Sequence, residues 1–268
     1  MKRRLIAIDL DGTMLTHNKT ILARTKQTIK RVRGLGHEVV IATGRPPRSS
    51  VNYHRELELT TPMVNFNGAL IHDPARPELD IHFPMEREVA LQILGECKRF
   101  GVDNVMMEIK DRYFAQQIDE LIHFLGDGSD PTGVGPIERY LLEHPTSMLI
   151  RTSKETIQPL RETLNQSFGG MVAHRYWSAP YHVLEVIKAN ISKATGLEIL
   201  VDQLGFARED VIAFGDEEND LEMIEWAGLG IAMGNANPVL KKVADRIADT
   251  NENNGLSSVL EELFLKDA

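Results

Sequence analysis

Leu5-Ile6-Ala7-Ile8 is a short unbroken apolar run, the pattern of a strand buried on both faces, and it stops at the polar turn Asp9-Leu10-Asp11-Gly12-Thr13. A helical stretch follows from about Ala23 and ends at Gly34 and Gly36. Val39-Val40-Ile41-Ala42 is a second buried run, closed by Thr43-Gly44-Arg45 and by Pro46 and Pro47, which suit a helix's first turn. A third run, Met63-Val64-Asn65-Phe66, closes on Asn67-Gly68. The alternation returns toward the far end. A helix over about 194–204 precedes the strand Val211-Ile212-Ala213-Phe214 and its turn Gly215-Asp216. A helix over about 219–227, the strand-like Gly230-Ile231-Ala232-Met233, a helix opened by Pro238 and a last one over about 256–265 complete the pattern.

Strands alternating with helices predict an α/β fold, a Rossmann-like parallel sheet with helices on both faces. Ligands of such sheets bind beyond the carboxyl ends of the strands. Every polar turn just described lies at such an end, so distant segments are expected to converge on one cleft. From about His82 to Ile187 the alternation breaks. Helical character near 86–100, a Gly/Asp/Pro-rich stretch over 126–136 and strand-like runs at Ser147–Arg151 and 183–187 read as an inserted α+β cap domain. The expected division is a discontinuous core of residues 1–83 and 188–268 around a cap of 84–187, without internal repeats or low-complexity tracts.

Composition narrows the field. A chain of 268 residues with 42% hydrophobic and 26% charged residues can bury a large core, and it reads as neither disordered nor a membrane protein. No apolar run approaches a bilayer span. The opening Met1-Lys2-Arg3-Arg4 looks like the start of a signal peptide, but Asp9 and Asp11 interrupt the apolar stretch behind it. The single Cys97 excludes an internal disulfide, and a reducing cytoplasm is the expected compartment. Thirty-nine acidic against thirty basic residues, a formal charge of −9, disfavour nucleic acid or an anionic membrane as partner and leave small anionic substrates open.

The chemistry concentrates in two acidic turns. Asp9-x-Asp11-Gly12-Thr13 reads either as a capping turn or as a pair of working carboxylates where a site is expected. Gly215-Asp216-Glu217-Glu218-Asn219-Asp220 reads alone as a helix cap. Together, Asp9, Asp11, Asp216 and Asp220 at neighbouring strand ends would repel one another without a cation between them. Oxygen donors with no Cys or His cluster suit magnesium and not zinc. Thr43 offers a hydroxyl, Gly44 an unhindered N–H and Lys193 a positive charge, the groups a phosphoryl oxygen needs.

Asp9-Leu10-Asp11-Gly12-Thr13, Ala42-Thr43-Gly44-Arg45, Lys193 and Gly215-Asp216-x-x-Asn219-Asp220 resemble the four motifs of the haloacid dehalogenase superfamily, and the long insertion resembles its Cof-type phosphatase branch. Val64-Asn65-Phe66-Asn67-Gly68-Ala69 and other core segments are further similar to Bacillus-type members acting on the ribitylaminouracil phosphate of riboflavin biosynthesis. Ala194 stands where many Cof-type members have Gly.

The resemblance implies that Asp9 is the nucleophile and Asp11 the general acid/base. It implies magnesium on Asp9, the Asp11 carbonyl and Asp216, supported by Asp220. Thr43, Gly44, Lys193 and Asn219 would hold the phosphate of a small phosphorylated metabolite, with Leu10, Arg45, Asn67 and Glu185 near the substrate. An aspartyl phosphate would form and then be hydrolysed.

Other features carry less. Gly133-Val134-Gly135 lacks the third glycine and the lysine of a nucleotide loop. His54, His82, His174 and His182 form no zinc pattern, and Cys97 reads as a packed thiol. Arg175 and Trp177 are candidates for a specificity face of the cap. Sugar phosphates compete with the riboflavin intermediate as substrate. A phosphosugar mutase and a non-catalytic metabolite-binding regulatory module are the alternatives, and the oligomeric state is open.

Overall fold

The computed structural model describes residues 2–125, 128–177 and 181–266, the side chains of Leu121 and Phe124 excepted. The chain divides into two compact units, Met1–Ile81 with Ser192–Ala268, and His82–Ile191.

The first leg runs β1 (Leu5–Ile8), α1 (Ala23–Gly34), β2 (Glu38–Ile41), α2 (Pro47–Glu56), β3 (Met63–Asn65), β4 (Leu70–His72) and β5 (Ile81–His82). α1 buries Thr25, Thr28, Ile29 and Val32, one stripe at helical spacing, and ends on Arg31 and Arg33, whose charges suit a helix C-terminus. α2 starts with Pro47, as the sequence predicts.

The inserted unit follows, with α3 (Arg87–Phe100), β6 (Asn104–Ile109), β7 (Arg112–Ala115), α4 (Glu120–Leu125), β8 (Gly133–Val134), β9 (Ser147–Arg151), α5 (Lys154–Phe168), β10 (Val172–Trp177) and β11 (Val183–Lys188). Its sheet has the order β10-β11-β9-β6-β7-β8. One face turns Val105, Met107, Met148, Ile150, Leu184 and Val186 toward α3 and α5 residues such as Ile93, Leu94, Leu160 and Leu164. Met106, Leu149 and Val183 gather instead with Ile122 of α4. Apolar residues on both faces hide the two-residue period, which is why β6 and β7 escape a reading of the sequence alone. Gly126 and Asp127, the start of the Gly/Asp/Pro-rich stretch, lie outside the described residues. The discounted Gly133-Val134-Gly135 contributes β8, with Gly133 against the Tyr140 ring.

The return leg adds α6 (Lys193–Leu204), β12 (Val211–Gly215), α7 (Leu221–Trp226), β13 (Leu229–Ala232), α8 (Pro238–Val243), β14 (Arg246–Ile247) and α9 (Gly255–Phe264). The five-stranded sheet β14-β13-β12-β1-β2 is parallel throughout, with Leu5 opposite both Glu38 and Val211. Every side chain of β1 is fully buried, the expected state of a central parallel strand.

The third apolar run departs from a simple parallel arrangement. β3 pairs antiparallel with β4, Met63 opposite His72, and meets the parallel sheet through a single bridge from Val64 to Ala42. Phe66, Asn67 and Gly68 all have positive φ, so the chain reverses at once where a parallel crossover would need many more residues. No helix among the described residues is long and apolar enough to cross a membrane.

Candidate active site

The strand ends of the first unit carry the polar turns. Asp9 follows β1 and continues its ladder through an N–H donated to the Phe214 carbonyl, 3.1 Å. Asp216 follows β12, and Thr43 donates its N–H to Val64, 2.8 Å. Lys193 opens α6 just after Ser192, whose side chain caps the helix by accepting from the Thr195 amide.

Lys193 is fully buried, and its Nζ donates to Asp9 Oδ1 and to Asp220 Oδ1, each at 2.6 Å. The other oxygen of Asp220 accepts from the amides of Asp216 (2.9 Å) and Glu217 (3.1 Å), so both of its oxygens are engaged within the protein. Asp216 accepts from the Thr13 hydroxyl at 3.1 Å. Gly12 holds a φ of +78° beside it, and a Cβ there would stand 2.1 Å from Asp216 Oδ2. Only glycine fits that position.

One oxygen from each of Asp9, Asp216 and Asp220 can be chosen so that all lie within 4.8 Å of one another. Three carboxylates and one ammonium share a buried space, and full ionisation would leave two negative charges there. Burial pushes the Asp9 carboxyl well above its ordinary range; Lys193 pulls it down, while the charges of Asp220 and Asp216 add to the rise. Burial, followed by the Asp220 charge, pushes Asp216 up to about 7. For Lys193 burial works against the ammonium, but Asp220 and Asp9 outweigh it and hold the group charged. The buried acidic triad could therefore bind a metal, and oxygen donors with an excess of two charges fit a hard divalent cation.

Asp11 stands outside this triad. Arg45 grips its carboxylate with two bonds, Nε to Oδ2 at 2.6 Å and Nη2 to Oδ1 at 2.8 Å, and Lys19 Nζ adds a third at 2.5 Å. Partial burial works to raise the carboxyl, but Arg45 and then Lys19 outweigh it and bring it down to about 2. Leu10 is fully buried, and its carbonyl accepts from the Thr13 and Leu15 amides at 3.4 and 2.8 Å. Lys19 is a residue the sequence reading missed. It sits at positive φ in a polar loop pinned by the Tyr53 hydroxyl, which donates to the Lys19 carbonyl at 3.0 Å, and no motif or period marks it.

The phosphate-side candidates form another group. Buried Thr43 accepts the Arg45 N–H on its Oγ1 at 3.1 Å. Asn219 donates from Nδ2 to Asn67 Oδ1 at 2.9 Å, and Gly44 lies against the Asn67 amide.

Residues given less weight are otherwise engaged. His54 meets the Thr61 carbonyl at 2.8 Å, His82 the Thr146 hydroxyl at 2.8 Å, His174 Asn165 at 2.8 Å and His182 Tyr176 at 2.6 Å. Burial pushes the Cys97 thiol up to about 12, an inert state. Glu185 is buried in β11 opposite Arg175 of β10, and Trp177 packs on the cluster around Ile122.

A family model described as haloacid dehalogenase-like hydrolase matches residues 6–260. The chain is 43% identical over 265 residues to the 5-amino-6-(5-phospho-D-ribitylamino)uracil phosphatase YitU of Bacillus subtilis, covering 98% of each chain. It is 28% identical to the pyridoxal phosphate phosphatase YbhA of Escherichia coli over 97% of this chain and 98% of that one. Among solved structures, a haloacid dehalogenase-like hydrolase from Bacteroides thetaiotaomicron superposes with a TM-score of 0.87 at 28% identity, over 98% of this chain and all of the other.

Proposed function

The chain belongs to the haloacid dehalogenase-like hydrolases, and on that premise we propose that it is a magnesium-dependent phosphatase of small phosphomonoesters that uses Asp9 as its nucleophile. The carrying observation is the buried Lys193 ammonium 2.6 Å from Asp9 Oδ1, within a buried triad of acids. Lys193 opposes the burial that favours a protonated Asp9 and screens an approaching phosphoryl group. Magnesium would be held by Asp9, Asp216 and the Asp11 carbonyl, with Asp220 bracing the site from behind. When bound it neutralises charge on the phosphoryl oxygens.

An Asp9 oxygen attacks phosphorus, the bond to the leaving oxygen breaks, and Asp11 supplies the proton that oxygen takes up. Asp11 then accepts a proton from the water that attacks the aspartyl phosphate, and Asp9 is released with inorganic phosphate. Thr43, Gly44, Lys193 and Asn219 hold the phosphoryl oxygens, and the backbone of Leu10 lines the same space. Arg45 and Lys19 have to loosen their hold on Asp11 before it can carry the first proton.

The 43% identity to the ribitylaminouracil phosphate phosphatase favours that compound as substrate, with pyridoxal and sugar phosphates as competitors. The lone, buried Cys97 suits a reducing cytoplasm.

The test is phosphate release with and without magnesium across those phosphoesters, with Asp9→Asn as control. Magnesium-dependent release led by the ribitylaminouracil phosphate and abolished in a folded Asp9→Asn protein is expected. A folded Asp9→Asn protein with normal activity sinks the mechanism, and a different leading compound renames the substrate.

A further inference from the structure

We infer that Asn67 is a positioning residue, which sets the plane of the Asn219 amide and the seat of the Gly44 backbone without itself binding the phosphoryl group. The inference rests on the phosphatase reading above and deepens it.

The backbone comes first. Phe66 and Asn67 hold φ of 50° and 54°, two successive non-glycine residues in the left-handed region. Asn tolerates this conformation better than most residues, whereas a bulky residue such as Phe66 takes it only when its surroundings impose it. The surroundings do so here. The Phe66 ring is 1% exposed. Its N–H donates to the Arg45 carbonyl at 3.3 Å, and the Asn67 N–H donates to the Thr43 carbonyl at 3.0 Å. Asn65 Nδ2 reaches the same Arg45 carbonyl at 2.9 Å and the Ser50 hydroxyl at 2.8 Å. The turn after β3 thus braces the Thr43-Gly44-Arg45 loop along its length. α6, which carries Lys193, brings Gly196 against Val64 and Gly68 of the same segment.

The side chain completes the assignment. Asn67 Oδ1 accepts from Asn219 Nδ2 at 2.9 Å, which fixes the Asn219 amide plane and with it the direction of the second N–H. A Cβ on Gly44 would lie 3.2 Å from both Oδ1 and Nδ2 of Asn67, so a side chain at 44 would push the amide out of place. β2 and β12 flank β1 in the sheet. A side chain that touches the loop after β2 and the turn after β12 therefore ties together the two sides of the strand end where Asp9 stands. Asn67 is 2% exposed, while Gly44 and Asn219 are half-buried and can meet a ligand. Strained backbone at a site is stable only when its surroundings hold it, and these contacts make Asn67 the brace for two groups that touch phosphate.

The test is a double-mutant cycle of Asn67→Gly and Asn219→Ala, read as kcat/KM, as the Kd for inorganic phosphate with magnesium by calorimetry, and as melting temperature. Glycine adopts the left-handed conformation freely, so Asn67→Gly is expected to melt at or above the wild-type temperature. Its kcat/KM is expected to fall about 10- to 100-fold, the usual effect of removing a group that orients a ligand-binding residue. The double variant should lie within about threefold of the weaker single variant, since Asn67 acts through Asn219. Losses that multiply fully show that Asn67 meets substrate by itself and overturn the inference. So does wild-type kcat/KM in Asn67→Gly, or a fall in melting temperature that tracks the fall in activity. A wild type without Asp9-dependent phosphate release removes the phosphatase reading, and the cycle is then closed on phosphate affinity, where the same non-additivity is expected. A wild type that also fails to bind phosphate overturns both.

Discussion

Both units bury carboxylates, at different places along their strands. In the parallel sheet, Leu5–Ile8 is apolar and buried, and Asp9 comes after the last strand residue, where Lys193 and two further acids meet it. In the inserted sheet, Glu108 lies inside β6 and Glu185 inside β11, 4% and 5% exposed. Glu108 accepts from the hydroxyl of Ser147, its neighbour across the ladder, at 2.6 Å. A carboxylate within a strand is held by pairing on both sides, so its partners must come from fixed cross-strand positions. One beyond the strand end can be surrounded by groups from several loops, with charge left over for a ligand.

Lys193→Met should break the comparison hardest. It leaves Asp9 and Asp220 buried without their counter-charge, and loss of one partner of a buried ion pair costs about 3–5 kcal/mol. Urea unfolding of the magnesium-free protein should show this loss, and turnover should fall by more than 100-fold. Wild-type stability in the variant would mean that the cluster holds protons in place of the lysine's charge.

A proton-linked effect comes next. Asp216 is pushed up to about 7, above its ordinary value of 3.8. Between those values the folded protein keeps a proton that the unfolded chain has lost. Stability without magnesium should therefore decline as pH rises from about 4 to 7 and level off above, by an amount on the order of 2–4 kcal/mol. Melting curves of wild type and Asp216→Asn across that range check it: the variant should lack this part of the slope, and magnesium should flatten the wild type. An identical slope in both proteins refutes the assignment.

Ser147→Ala is the smallest of the three. It removes a hydrogen bond to a buried carboxylate at a cost of about 1–3 kcal/mol, read as a drop in melting temperature. A neutral result would show that Glu108 does not depend on its cross-strand neighbour.

The same contrast explains what could be read in advance. Continuous apolar runs make β1, β2 and β12 visible as buried parallel strands, and the acids after β1 and β12 are conspicuous because two such turns fall at neighbouring strand ends. β10 is hard to see because its residues after Val172, including His174, Arg175 and Trp177, are only half-buried and keep no alternation. The antiparallel course of β3 turns on left-handed φ at Phe66, a residue that no turn rule would choose. At the site, Asp9, Asp216 and Asp220 stand out from the two acidic turns and Lys193 through the family resemblance, and the structure brings the four into one cluster. The grip of Lys19 on Asp11 could not, because it depends on where a loop lysine folds back.

The order in which this chain is synthesised gives its interrupted first unit a further meaning. Thr13 and its partner Asp216 are separated by 203 residues. At roughly 5–20 residues per second, a ribosome takes about 10–40 s to cover that distance. For that interval β1 has at most β2 on one side and an open edge on the other, while the compact unit His82–Ile191 is made in between. An open edge on an apolar strand is a template for mispairing, so chaperone demand should concentrate in that window and end when β12 arrives. The nascent enzyme is therefore without half its acids until about four-fifths of these 268 residues have been made, and before that point it cannot turn over metabolites.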